Sequence, residues 1–329
     1  MVKYHGAVFN SFPPAPSLIE FPFVVFCGRL TPNNVVQLVF IWLAMIMAYF
    51  ILEKLTGNRF LSYVASVGFF WGSNILYLSL RAPVWHQGHL YGVFFVVAAF
   101  FIVLYGHKPL SLLAAAFFLG WTVGCRPLNV LYVPLLFYMG FKRYSVKQTL
   151  IFSIAGLLPA ALFIGIYNFV RFGSPAEFGH IYLAWSEYVH FEVFGFSWLP
   201  RNLYYTFLNL PEWDYRGFLT FSGRGTAVWL TNPFIFLGFI MFLRKSVPLR
   251  DKLMAGATGF ALWLLLLLHC GNGWFQFGYR YIVDLIPLFI IMFGWAYKEL
   301  KKWMIPVGAI SILINIYGAI WFYYFSRLP

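Results

Sequence analysis

The chain has 329 residues, of which 61% are hydrophobic, 22% aromatic and only 10% charged. A soluble domain carries about 25% charged residues, so the composition excludes an ordinary water-soluble enzyme and reads as an all-α polytopic membrane protein. The net charge of +13 would suit nucleic acid in a soluble chain, but in a membrane chain the placement of charge matters more than its sum, and no nucleic-acid partner is expected.

Residues 1–33 open as a polar, aromatic loop in which Pro13, Pro14 and Pro16 prevent a regular helix before about Ser17. Ser17 is placed to cap a short helix, SLIEFPFVVFCG, interrupted by Pro22 and too brief to cross a bilayer. It reads as an interfacial or re-entrant segment whose one acid is Glu20. Apolar runs follow at 34–55, 59–80, 88–105, 110–124, 127–140, 147–170, 227–243, 250–270, 280–297 and 303–325. Between alternate runs lie compact basic loops holding Lys54 and Arg59, Lys108, Lys142 to Lys147, Arg244 to Lys252, and Lys298 to Lys302. The positive-inside rule assigns these loops to the cytoplasm. About ten crossings result, with both termini, the loop 171–226 and the stretch GNGWFQFGYR outside. No cleavable signal opens the chain, so a further helix entering from the cytoplasm is expected upstream. The whole of 1–329 reads as a single membrane domain.

Several outer stretches carry chemistry. In RAPVWHQGHLYG, His86 and His89 sit three apart, close enough for one helical face. Two histidines without acids or thiols are weak metal ligands, and interfacial hydrogen bonding is an equal reading. The cysteines, Cys27, Cys125 and Cys270, have no C-x-x-C spacing and read as buried thiols. Two short runs meet at VGCRPLNV, where Arg126 is a fixed cation at membrane depth, suited to a phosphate or to snorkelling. The loop 171–226 alternates aromatics with sparse charges, among them Glu177 and Glu187, and is expected to form amphipathic helices lying on the bilayer.

The stretch Gly271–Pro287, GNGWFQFGYRYIVDLIP, is the strongest site candidate. Arg280 and Asp284 are four apart, so an α-helix would project both from one face. Ionisable groups at membrane depth face protein-lined cavities and mark function by default, although a structural ion pair remains the alternative. Trp274 and Tyr279 crowd the pair, as an interfacial belt or a pocket wall.

Six stretches, in this order along the chain, carry a resemblance: YHGAVFNSFPPAPSLIEFPFV, VWHQGHLYGVFF, GCRPLNVLYVPLLFY, YNFVRFGSPAEFG, LPRNLYYTFL and GWFQFGYRYIVDLIP. The chain resembles integral-membrane glycosyltransferases of the GT-C fold, specifically the bacterial and archaeal relatives of dolichyl-phosphate-mannose–protein mannosyltransferases. The resemblance implies a GT-C-like bundle in a bacterial or archaeal cell membrane, with its site on the outer face. It implies transfer of a mannose-like hexose from a polyprenyl-phosphate carrier to a glycan, lipid or protein acceptor. That family keeps a catalytic acid in its first outer loop, just after the first helix. That helix and motif have no counterpart here, and Glu20 does not match the motif's position.

Apart from the resemblance, sugar transfer from a lipid phosphate needs a base for the acceptor hydroxyl and cations for the leaving phosphate. Glu20 and Asp284 are the catalytic candidates, and Arg280, Arg126, His86, His89, Tyr279 and Trp274 the binding candidates. No cofactor is firmly implied; a divalent metal would suit the chemistry but no residue pattern supports it. Two other classes compete: a transporter or lipid flippase, which inverted repeats would favour, and a non-catalytic or truncated homologue.

Overall fold

The computed structural model describes residues 2–182, 192–273, 275–297 and 301–325. It is nearly all-α. In chain order the helices are α1 (Ala15–Cys27), α2 (Asn33–Thr56), α3 (Arg59–Trp71), α4 (Ile75–Ser79), α5 (Val84–Tyr105), α6 (Leu110–Val123) and α7 (Val133–Phe141). They continue as α8 (Val146–Phe172), α9 (Leu199–Leu203), α10 (Val228–Thr231), α11 (Ile240–Leu243), α12 (Leu249–Leu268), α13 (Ile286–Ala296) and α14 (Lys301–Ile320). Five helical stretches are long and apolar enough to cross a membrane: α2, α5, α8, α12 and Lys302–Tyr324. The other expected crossings are shorter or broken helices.

α5 is the axis of the bundle. Its apolar residues run round the whole circumference, and most of it is buried, as is almost all of the shorter α13; helices hydrophobic all round belong inside. α8 is two-faced. Ile151, Ile154, Leu158, Leu162 and Ile166 make an exposed apolar stripe at helical spacing, a liability in water and a fitting surface for lipid. The opposite face is small. A Cβ on Gly156 would come within 2.2 Å of the Leu113 carbonyl oxygen, and one on Gly120 within 2.8 Å of Ala160. Small residues let α6 and α8 backbones meet, the usual route to close packing where lipid removes the hydrophobic drive.

The run expected at 59–80 breaks at Gly72–Asn74, and that at 227–243 breaks at Asn232, before Pro233. Freed backbone groups inside a membrane need partners, and polar side chains supply them. Ser311 donates to the Gly72 carbonyl at 2.6 Å, Asn315 to that of Thr231 at 2.8 Å, and the Asn74 N–H to Asn232 at 2.8 Å. Asn74 also donates its amide to the Phe277 carbonyl at 3.1 Å, tying these breaks to the loop after α12.

Two expectations are corrected. Ser17 caps nothing: Pro14 is the N-cap of α1, which begins two residues earlier, since prolines fit a helix's first turn where no N–H is needed. Ahead of it, Val2–Tyr4 pairs with Ala7–Phe9 as a hairpin turning on His5 and Gly6, both at positive φ. The loop after α8 is built from short pieces, with no long amphipathic helix among its described residues. They are 3-10 turns at His180–Tyr182 and Phe196–Trp198, α9 with a π turn, and a hairpin of Glu212–Trp213 on Leu219–Thr220. Proline and glycine interrupt it too often for helix to propagate. Residues 183–191, which include Glu187, lie outside the described residues.

Candidate functional site

In the loop after α12 the Gln276 side chain is fully buried and ties the turn together. Its amide donates to the carbonyls of Asn272 at 2.8 Å and Arg224 at 3.1 Å, and its oxygen accepts from the Arg280 N–H at 3.3 Å. Gly278 lets the chain turn back: its φ is +65°, and a Cβ would lie 2.5 Å from the Asn74 amide, so both strain and space demand glycine. Arg280–Leu285 then forms a 3-10 helix that feeds α13.

That tighter helix corrects the expected Arg280–Asp284 pair. At three residues per turn, positions four apart point about 120° away from one another, whereas positions three apart eclipse. Asp284 therefore shares a face with Tyr281 and meets other partners. Its Oδ1 lies 2.7 Å from His89 Nδ1 on α5. Its Oδ2 accepts from Arg126 Nε at 3.0 Å and Nη2 at 2.9 Å, and its carbonyl accepts from the Tyr132 hydroxyl at 2.7 Å. The Asp284 and His89 side chains are sealed, at 1% and 0% exposure, while Arg126 keeps 23%. Asp284 is thus a buried anchor behind Arg126.

Arg126 follows the end of α6, its N–H bonded to the Thr122 carbonyl at 2.8 Å. It lies across a flat strip of α5 made by Gly88 and Gly92; a Cβ on Gly92 would be 3.4 Å from its Cγ, and one on Gly88 3.2 Å from the Cys125 carbonyl. The Tyr281 ring receives both guanidinium groups, with Arg126 at 5.0 Å and Arg280 at 5.4 Å from its centroid. Cations over an aromatic face are attracted by its quadrupole. Two cations are thereby held near one point despite their repulsion.

Arg126, Arg280 and Tyr281 wall a cavity of about 460 Å³. Its other polar lining is Glu177, His180 and His269, and its apolar wall includes Phe12, Trp85 and Phe194. Glu177 is the one carboxylate among the described lining residues. Three anchors close the walls. Arg171, at the end of α8, donates to the Asn10 carbonyl at 2.6 Å and to Asn168 at 2.9 Å, holding the N-terminal segment beside the Ala176–Phe178 turn. Asn202 of α9 donates to the carbonyls of Leu267 and His269 at 2.8 and 2.7 Å. The Cys270 N–H donates to the Val193 carbonyl at 2.9 Å. Burial, and next the charge of Arg126, hold the His180 imidazole down at a pKa of about 4, so it faces the cavity neutral at pH 7.

The other candidates fall elsewhere. Glu20 is not on the cavity wall: Tyr91 donates to its Oε1, as does Gln87 at 3.1 Å, so it ties α1 to α5. Burial holds its carboxyl above the usual carboxylate range, partly offset by the Tyr91 bond. Tyr279 is buried with its hydroxyl 3.4 Å from the Leu266 carbonyl, a pillar edge-on to Tyr281. His86 lines a neighbouring chamber. Trp274 lies outside the described residues. Among the described residues no cluster of three or more His, Cys, Asp or Glu is gathered for a metal.

One signal in the sequence pointed at what was missed. Gly88-x-x-x-Gly92 inside an apolar run marks a close approach, here that of Arg126. Glu177 was one of several acids in a long loop, and only the fold distinguishes it. Comparison with known protein families, with curated proteins and with solved structures finds no match to this chain.

Proposed function

We propose that the chain is a membrane glycosyltransferase that takes a sugar from a polyprenyl-phosphate carrier at the outer face. One observation carries the reading: two arginines about Tyr281 share a part-apolar cavity with the carboxylate of Glu177. The guanidinium groups would hold the phosphate and neutralise charge as it leaves the sugar. Glu177 would accept the proton of the acceptor hydroxyl, in the role expected of Glu20 or Asp284. Aromatic walls suit sugar C–H faces and a prenyl chain.

The test is transfer of labelled sugar from a polyprenyl-phosphate donor in proteoliposomes. Glu177→Gln should lower turnover about a hundredfold, the lower end for a lost general base, with donor binding kept. Full turnover in that variant removes Glu177 from the chemistry. A transporter or flippase is the second reading, favoured by the sealed Arg126–Asp284–His89 cluster between helices. Donor movement across liposomes without transfer would select it.

The topology we propose has about ten crossings, counting the short and broken helices, with both termini outside. In a background lacking the exposed Cys27, cysteines at the exposed positions Ser145 and Ser246 should label only from the cytoplasm. One at Tyr215, 91% exposed in the hairpin turn, should label in intact cells. External labelling at Ser246 would overturn the scheme.

A further inference from the structure

A second chamber of about 340 Å³ adjoins the first and shares Phe12, Trp85 and Arg280 with it. Its other polar walls are Arg81, His86 and the Tyr77 hydroxyl, and no carboxylate stands among its described lining residues. Tyr77 donates its hydroxyl to the Phe275 carbonyl at 3.2 Å, whereas Arg81 and His86 each keep a buried nitrogen without a hydrogen-bond partner among the described residues. Arg81 is fixed at its backbone, where Gln37 of α2 donates to its carbonyl at 2.6 Å, and its guanidinium lies 4.9 Å from the Tyr323 ring centroid. Arg81 Nη2 is enclosed yet makes no hydrogen bond among the described residues. His86 is 2% exposed, packed edge-on against Tyr77 at 5.5 Å, and neither ring nitrogen has a hydrogen-bond partner among the described residues. The Leu78 and Arg81 carbonyls approach the ring without reaching hydrogen-bonding geometry.

A buried donor left unsatisfied costs about 1–3 kcal/mol, and two on one cavity wall, beside a second guanidinium, ask for a common acceptor. Water would satisfy them only in part, because it brings no charge to the Arg81 guanidinium. We propose that this chamber is a subsite for a phosphate-class oxyanion, carried by the acceptor onto which the sugar is moved. A tetrahedral phosphate offers an oxygen to each of Arg81, Arg280 and His86, whereas a carboxylate has only two. Arg280, in the wall between the chambers, would then touch the anions of both substrates, bringing donor and acceptor to neighbouring places. The assignment to the acceptor rests on the transferase reading; the binding of phosphate does not.

Calorimetry of the full chain in lipid nanodiscs, titrated with methyl phosphate, should find two sites per chain. Arg81→Gln should leave one, and His86→Phe, which keeps the ring packing, should weaken that same site at least tenfold. Arg126→Gln should remove the other. Should Arg81→Gln not fold, His86→Phe decides alone. Two unchanged sites in His86→Phe or in a folded Arg81→Gln overturn the inference, as does acetate binding there as tightly as methyl phosphate. A site lost with Arg81 but none with Arg126 supports this subsite and removes the donor-phosphate role of Arg126.

Discussion

Asp284→Ala is expected to destabilise the folded protein by about 3–5 kcal/mol, the usual cost of breaking a buried ion pair from one side. The substitution strands two groups at once. His89, with 0% side-chain exposure, loses the acceptor at its Nδ1, and an unsatisfied buried nitrogen costs about 1–3 kcal/mol. Arg126 loses both bonds to Oδ2 but can swing toward the cavity, being 23% exposed, which places the total near the lower end of that range. Asp284→Asn should be milder, because an amide can still accept from Arg126 and donate to a histidine with the other tautomer. The measurement is the unfolding midpoint in nanodiscs for the two variants, for Arg126→Gln and for the double variant Arg126→Gln/Asp284→Asn. Residues sharing one network are non-additive, so the double variant should lose less than the sum of its singles. An Asp284→Ala midpoint equal to wild type would mean that the cluster carries no stability.

The sequence makes this cluster's members visible but not its pairing. Hydrophobic content and sparse charge are enough for a helical membrane chain, since they depend on composition alone, and α2, α5, α8 and α12 follow from uninterrupted apolar length. The breaks at Asn74 and Asn232 do not, because their cause is tertiary. The polar partners that make a broken helix tolerable, Ser311 and Asn315, come from α14, far along the chain. Arg126 and Asp284 are likewise 158 residues apart. What hid their pairing was a local choice: an i,i+4 rule presumes an α-helix, and Pro287 at the start of α13 leaves the preceding turn as 3-10. The partners of Glu20 were hidden for the same reason: Gln87 and Tyr91, the two donors on its Oε1, lie on α5, 67 and 71 residues along the chain.

Arg280 is where substitution should most affect chemistry rather than folding. The loop that delivers it is held by main-chain and Gln276 bonds, among them the one from the Arg280 backbone N–H to Gln276, and those bonds survive a change of the Arg280 side chain. Its guanidinium lies on the wall of both chambers and 5.4 Å from the Tyr281 ring centroid. A guanidinium stays charged when desolvated and can grip two phosphate oxygens while stacked; a lysine ammonium is a point charge that does neither. Removing one preorganised donor from a developing anion typically costs about 10²–10³ in turnover. Arg280→Ala should therefore fall by two to three orders of magnitude, and Arg280→Lys nearly as far. Both should insert and melt close to wild type, unlike Asp284→Ala. The readout is turnover with a polyprenyl-phosphate sugar in proteoliposomes, with kcat and KM separated. A cation acting mainly on the leaving phosphate lowers kcat, whereas one that only holds the ground-state donor raises KM. Wild-type turnover in Arg280→Ala would reduce the residue to a partner of Tyr281, and a full recovery in Arg280→Lys would show that charge alone, without the planar fork, is what the site requires.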